Sequence, residues 1–461
     1  VSYWCEATVV DGVVSRAVRI TVGPDGRIVE VEAGVARSDD DVALGVVLPG
    51  AGNAHSHAFH RLLRGRTHDE GGDFWRWREA MYAAAARLDP TLYREVARAV
   101  FAEMLVCGYT AVGEFHYLHH RHDGTPYAEP HAMELALAQA ARDVGIRLVL
   151  LDTVYLAGGI GVPLEPRQRP FGDGSAEGWL RRWHALEAAL PAGGLVTLGA
   201  AIHSVRAVSR GDIRAVVGGL PPDVPLHAHV SEQPRENAES LAASGLSPVG
   251  VLADAGALGP RFALVHATHL SDADVAAVGA AGVHVVMCPT TEADLGDGIG
   301  PARRLANAGA RIALGSDQNA VVDPFLEMRG LEAGERLSSG RRGCFDPAAL
   351  ASAASTGGYA ALGLGSHALA VGDHCDLVEV DAASIRTAGS ALAQLPLTAT
   401  AADVRRVVVA GRVVADGGLL VGSNDRGDTA RVGADPTALL RSAIAAFDAG
   451  ADTAHVRQEP Q

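Results

Sequence analysis

Apolar positions along this chain follow two rhythms. Near the start, residues 18–22 and 27–31 alternate apolar and polar side chains, the period of a half-buried strand, with Pro24-Asp25-Gly26 as the turn between them. The same texture returns late. Residues 375–380 and 405–409 read as strands, and Ala410-Gly411-Arg412 as a hairpin turn into Val413-Val414. Between these ends, short apolar runs alternate with Ala-rich stretches of helical spacing. The runs fall at 46–48, 111–115, 147–151, 195–202, 226–230, 263–265, 284–287 and 312–314. Residues 91–106, with Leu92, Val96, Val100 and Leu105 at near-helical spacing, predict one helix, and residues 436–449 predict the last, before a polar tail.

Strands that alternate with helices eight times predict a (β/α)8 barrel. The expected organisation is α/β. Residues 1–48 and 367–435 form one small β-sandwich from both termini, 49–366 form the barrel, and 436–461 form a helix and tail. Such barrels carry their chemistry at the C-terminal ends of the strands, so polar residues should follow each apolar run. They do: His55 and His57; Glu114, His116 and Tyr117; Tyr155; His203 and Arg206; His227, His229 and Glu232; His266 and His269; Cys288, Thr290 and Glu292; Asp317 and Asn319.

Composition narrows the chemistry. The chain has 461 residues, enough for a large core, and a net charge of -15, which argues against a nucleic-acid partner. All 39 basic residues are Arg. Without Lys there is no Schiff base, no lysine-anchored pyridoxal phosphate, no phosphate-loop lysine and no carbamylated lysine bridging two metals. Five scattered cysteines without C-x-x-C make a disulfide framework unexpected and a reducing compartment the default. No basic-then-apolar leader and no apolar run of membrane-spanning length is read, so no membrane partner and a cytoplasmic location are expected.

His55 and His57 lie two apart, which on a strand puts both imidazoles on one face. His229 is the expected third ligand, and Asp317, in Leu314-Gly-Ser-Asp317, the fourth. Three His and one Asp make a mixed N/O site for zinc or another borderline divalent ion. His227, on the same face as His229, is expected to pack behind it. An ion there acidifies water to about pH 7. Asp317 can take the water proton, Glu232 can carry a proton to a leaving nitrogen, and His266 can orient water or substrate. His269, three residues on, falls on the opposite strand face.

This constellation resembles the amidohydrolase superfamily, and the missing lysine fits its mononuclear deaminase branch. Longer strings resemble the N-formimidoyl-L-glutamate deiminases: Asn53-Ala-His-Ser-His-Ala-Phe-His-Arg61, Phe74-Trp-Arg-Trp-Arg-Glu-Ala-Met-Tyr82, Glu114-Phe-His-Tyr-Leu-His-His120, Ile202-His-Ser-Val-Arg206 and Cys288-Pro-Thr-Thr-Glu-Ala-Asp-Leu-Gly-Asp-Gly298. That family hydrolyses N-formimino-L-glutamate to N-formyl-L-glutamate and ammonia in histidine breakdown. The resemblance implies His55, His57, His229 and Asp317 as zinc ligands, Glu232 and His266 as catalytic, Tyr117, His203 and Arg206 as substrate-binding, and a homodimer. His60 stands where the family carries a substrate-contacting Gln.

A substrate with two carboxylates calls for Arg, whose fork pairs bidentately. Arg206, at a strand end, is the first candidate and Arg78 the second. Arg61, Arg64 and Arg66 are expected to be solvated or paired, Trp75 and Trp77 to wall the pocket or, the favoured reading, to pack its lid, and His119, His120 and His122 receive no function. The rivals are a deaminase of the same branch acting on a purine, pterin or triazine ring, and a non-catalytic zinc-binding homologue.

Overall fold

The structure, a computed structural model, describes residues 1–68, 74–191, 193–422 and 434–456, with side chains of the last helix through residue 450. The first strands are β1 (Ser2–Val10), β2 (Val13–Val22), β3 (Ile28–Glu32) and β4 (Val42–Pro49). Next come β5 (Ala51–Ser56), β6 (Tyr109–His116), β7 (Arg147–Val154), β8 (Val196–Ile202), β9 (Leu226–Val230), β10 (Phe262–His266), β11 (His284–Met287) and β12 (Arg311–Leu314). The last are β13 (Leu377–Val380), β14 (Val404–Val409), β15 (Arg412–Asp416) and β16 (Leu419–Leu420).

Strands β5 to β12 pair in chain order, all parallel. Most are buried along their whole length, as parallel strands covered on both faces must be. The ring closes where Ser56 bridges Asp317: the Asp317 N–H donates to the His55 carbonyl and the His57 N–H to the Asp317 carbonyl, both at 2.9 Å. Gly315 permits this approach, because a Cβ there would sit 2.9 Å from the His55 backbone. The Asn53 side chain pairs with Ser316 through its N–H (2.9 Å) and Oγ (2.6 Å), and Asn319 Nδ2 donates to the His57 carbonyl at 3.1 Å. This buried clasp locks the first strand to the last.

The other sheet runs β16-β15-β14-β13-β4-β1-β2-β3, so both ends of the chain build it. It curls on itself, with Arg27 bridging His374, around a small core of Tyr3, Cys5, Ile20, Leu44, Leu377 and Val408. Residues 423–433 and 457–461, inside the ranges expected for the C-terminal sandwich and the tail, lie outside the described residues. The last helix, Pro436–Val456, outruns the expected 436–449 and sets Phe447 under the Arg87 guanidinium at 3.7 Å. Among the described residues, no helix is long and apolar enough to cross a membrane.

The apolar run 46–48 is not the first barrel strand. It belongs to β4 in the terminal sheet, and the barrel begins after Gly50 with β5. Hydrophobicity does not reveal β5, because it packs too closely for large side chains: a Cβ on Gly52 would lie 3.0–3.1 Å from Gly358 and Tyr359. The other seven runs coincide with β6 to β12 within a few residues.

One buried ion pair joins the sheet to the barrel. Arg147, at the start of β7, makes two bonds to Asp376, just before β13, at 3.0 and 3.1 Å, and Tyr359 donates to the same carboxylate at 2.6 Å. Asp376→Ala leaves the guanidinium buried without a counter-charge. It should cost about 3–5 kcal/mol, read as a lower urea midpoint, while the folded fraction keeps its metal affinity.

Candidate active site

His55 ends β5 facing inward, His57 follows two residues on, His229 comes from β9, and Asp317 follows β12. Asp317 leaves its strand in the left-handed region (φ 45°), a conformation Asp tolerates better than most residues, and this turns its carboxylate into the ring. His229 Nε2 lies 3.1 Å from His55 Nε2 and 3.4 Å from His57 Nε2. Asp317 Oδ1 lies 3.3 Å from His55 Nε2 and 3.6 Å from His57 Nε2. His57 Nδ1 and His229 Nδ1 donate to the carbonyls of Phe115 (2.8 Å) and His203 (3.0 Å). Those bonds fix the tautomer, so both Nε2 lone pairs point into the cluster.

Burial first, and then the neighbouring imidazoles, push His55 and His229 well below the ordinary histidine range and His57 to about 3. Neutral rings with converging lone pairs beside a carboxylate have no proton to share, and a divalent cation satisfies all four atoms together. The donor set fits: neutral imidazole plus carboxylate, with carbonyls orienting the rings from behind. The ring of His227 turns instead to the Ala361 carbonyl (2.8 Å), as expected of a packed histidine.

A second group stands beside the first. His266, at the end of β10 with φ 69°, has Nε2 3.8 Å from both Glu232 Oε1 and Asp317 Oδ2, and Nδ1 3.5 Å from Glu292 Oε1. Burial alone would lower this imidazole; the surrounding carboxylates outweigh it and raise it to about 10. His266 is therefore set among three carboxylates, Glu232, Asp317 and Glu292. Glu232 also takes Arg206, with Nη2 to Oε2 at 3.2 Å. His269 bonds the Asp297 carbonyl instead (2.8 Å).

A cavity of about 660 Å³ opens over this rim, lined by Trp75, Arg78, Tyr82, Gln168 and Arg206 among others. That is the size of a small-molecule site. Arg78 lies over the rings of Trp75 and Tyr82 at 5.7 and 5.3 Å and reaches the Tyr155 hydroxyl at 3.3 Å; it pairs with no carboxylate among the described residues. His203 packs on Tyr155 (4.2 Å) and faces Tyr117 (5.8 Å). His60 bonds the Tyr117 hydroxyl at 2.9 Å and stacks on His57 at 4.4 Å.

The remaining expectations divide. Arg61 and Arg64 pair with Glu103, and Arg66 with Asp448. Trp77 packs against His60, but Trp75 lines the cavity rather than only packing. His119 and His120 enter a buried charge lattice, bonded to Glu134 and Asp173, with Arg182 joining Glu134, Asp152 and Asp173. Sequence reasoning placed Glu292 and Tyr155 at strand ends without giving them a role, and left out Gln168. Glu292 and Tyr155 follow apolar runs and so carried a signal. Gln168, which donates to Tyr82 (2.9 Å) and Tyr155 (3.1 Å), sits in a long loop with none.

Barrel, curled terminal sheet and a His/Asp centre at the strand ends define a metal-dependent hydrolase class. The amidohydrolase family matches residues 46–414, and the chain belongs to it. It is 40% identical over 419 residues to the formimidoylglutamate deiminase of Pseudomonas aeruginosa, covering 87% of this chain and 92% of that protein. It is 28% identical over 380 residues to a 5-methylthioadenosine/S-adenosylhomocysteine deaminase of Halobacterium salinarum, covering 81% and 82%. Among solved structures, an amidohydrolase from Brucella melitensis superposes with a TM-score of 0.88 at 32% identity, covering 97% of this chain and 99% of that one. An adenosine deaminase from Xanthomonas campestris with bound zinc superposes at 0.80 and 23% identity, covering 97% and 98%, which shows the fold alone.

The site is one for a divalent metal. Stripping with a chelator should lower the melting temperature, and adding the ion back should restore it, because the ion binds only the folded chain. His229→Ala should bind metal at least about 100-fold more weakly by calorimetry, since one ligand and its carbonyl support are lost together.

Proposed function

We propose that this chain is a formimidoylglutamate deiminase: a zinc enzyme that hydrolyses N-formimino-L-glutamate to N-formyl-L-glutamate and ammonia in histidine degradation. The observation that carries the reading is the pairing, at one rim, of the His55/His57/His229/Asp317 cluster with Arg78, a guanidinium caged by aromatic rings and lacking an acid partner among the described residues. The relative at 40% identity supports it. A purine, pterin or triazine ring would call for stacking and amide contacts and would leave Arg78 without a counter-charge.

In this reading Arg206 and Arg78 hold the two carboxylates, which anchors the amidine carbon near the metal ligands, where orientation lowers the barrier. Tyr117, His203 and His60 line the approach and direct the formimino group. One zinc ion, held by His55, His57, His229 and Asp317, would supply a water whose pKa is lowered to about 7. Asp317 Oδ2 accepts the proton of the attacking water. Glu232 carries a proton to the terminal nitrogen, which leaves as ammonia. His266 stays cationic and holds Glu232 and Asp317 in place. Five free thiols fit a reducing compartment, and we place the enzyme in the cytoplasm as a homodimer.

The test is ammonia release from N-formimino-L-glutamate by zinc-loaded protein, with N-formylglutamate identified as the product. Glu232→Gln should lower kcat by at least about 1,000-fold with metal retained, as expected when the proton carrier is lost. Arg78→Met should raise KM by at least about tenfold through loss of a charge-assisted pair. Release from adenine-type or triazine substrates alone would overturn the substrate assignment and leave the hydrolytic class standing.

A further inference from the structure

Arg206 is not free to receive a carboxylate. Its side chain is 9% exposed, Nη2 contacts Glu232 Oε2 at 3.2 Å, Nε donates to Ser204 Oγ at 3.3 Å, and Nε lies 3.9 Å from Glu236 Oε2. The group that should carry the proton is therefore tied to the group that should anchor the substrate. Glu236 differs from Glu232 in what holds it. It is fully buried in the first turn of the helix Pro234–Ser244, and its Oε2 accepts the backbone N–H of Glu232 at 3.3 Å. Glu232 stands on the turn before that helix and has a second polar neighbour, His266, whose Nε2 lies 3.8 Å from its Oε1.

We propose that the Arg206–Glu232 ion pair is a substrate-operated interlock: the incoming carboxylate takes Arg206 from Glu232 while Glu236 keeps the guanidinium in place, and Glu232 swings to His266 and the reacting carbon. This rests on the reading of Arg206 as a carboxylate anchor. The physical reason is geometric. A guanidinium offers one planar fork of donors, which cannot serve three carboxylates at full strength. The carboxylate with an alternative side-chain neighbour, His266, and no backbone tether is the one displaced, and that is Glu232. Glu236 then acts as a positioning residue. The interlock keeps the proton carrier away from the acidified water until a carboxylate-bearing substrate is seated, so specificity enters through the catalytic group as well as through binding.

The test uses a small N-alkylformamidine, which carries the reacting group and no carboxylate. The native enzyme should hydrolyse it slowly, and acetate or propionate added in trans should speed that turnover saturably by about tenfold, the order expected for breaking one charge-assisted hydrogen bond. Arg206→Met should turn the formamidine over about tenfold faster than native without added acid, gain nothing from acetate, and lose KM for N-formimino-L-glutamate. Acetate that only inhibits, or an Arg206→Met variant slower than native on the formamidine, overturns the interlock. A crystal structure with glutarate gives a readout independent of turnover. The interlock requires glutarate on Arg206, Glu232 beyond hydrogen-bond distance and Glu236 unmoved; an intact Arg206–Glu232 pair contradicts it. If glutarate opens the pair but N-formimino-L-glutamate yields no ammonia, the substrate assignment fails and the interlock stands.

Discussion

Three imidazole nitrogens that face one another at 3.1 and 3.4 Å, with a carboxylate oxygen at 3.3 Å, repel until a cation joins them. The barrel forces them together. Two rings are tethered from behind by the carbonyls of Phe115 and His203, and the carboxylate is aimed by a left-handed backbone at Asp317. Each device has a cost: buried neutral rings, a non-glycine residue in αL, polar side chains in a dry core. These are the local conflicts that functional sites retain and the surrounding fold offsets. The clasp of Asn53, Ser316 and Asn319 makes the arrangement persist, because it closes the ring at the strands that carry His55 and Asp317.

Around that centre the charges divide the work. His266, raised to about 10 by the carboxylates about it, stands beside Glu232 and Asp317. Arg78 lines the cavity from its aromatic cage, whereas Arg206 is already engaged with Glu232. The same fold carries an adenosine deaminase and an atrazine chlorohydrolase among its structural neighbours. In this chain the cavity wall carries the guanidinium groups of Arg78 and Arg206.

Much of this was legible in the chain because the barrel repeats one grammar, an apolar run followed by a polar residue; His229, Glu232, His266 and Asp317 obey it, whereas His55 and His57 were found by their own spacing, since the run before them belongs to the terminal sheet. Strand β5 was hidden because close packing against Gly358 requires small residues there, and small residues carry no hydrophobic signal. Gln168 was hidden because its role depends on a loop folding back onto Tyr82 and Tyr155, a contact across 86 and 13 positions that no local pattern encodes. The pairing of Arg206 with Glu232 was out of reach for the same reason. Each residue was legible singly as an anchor and an acid, but their mutual occupation depends on how two strand ends meet.

X-ray absorption at the zinc edge of the metal-loaded protein tests the centre most directly. The account predicts one zinc per chain surrounded only by nitrogen and oxygen at about 2.0–2.2 Å. The buried alternative group of His266, Cys288 and Glu292 would add a sulfur at about 2.3 Å, and that signal would contradict the account.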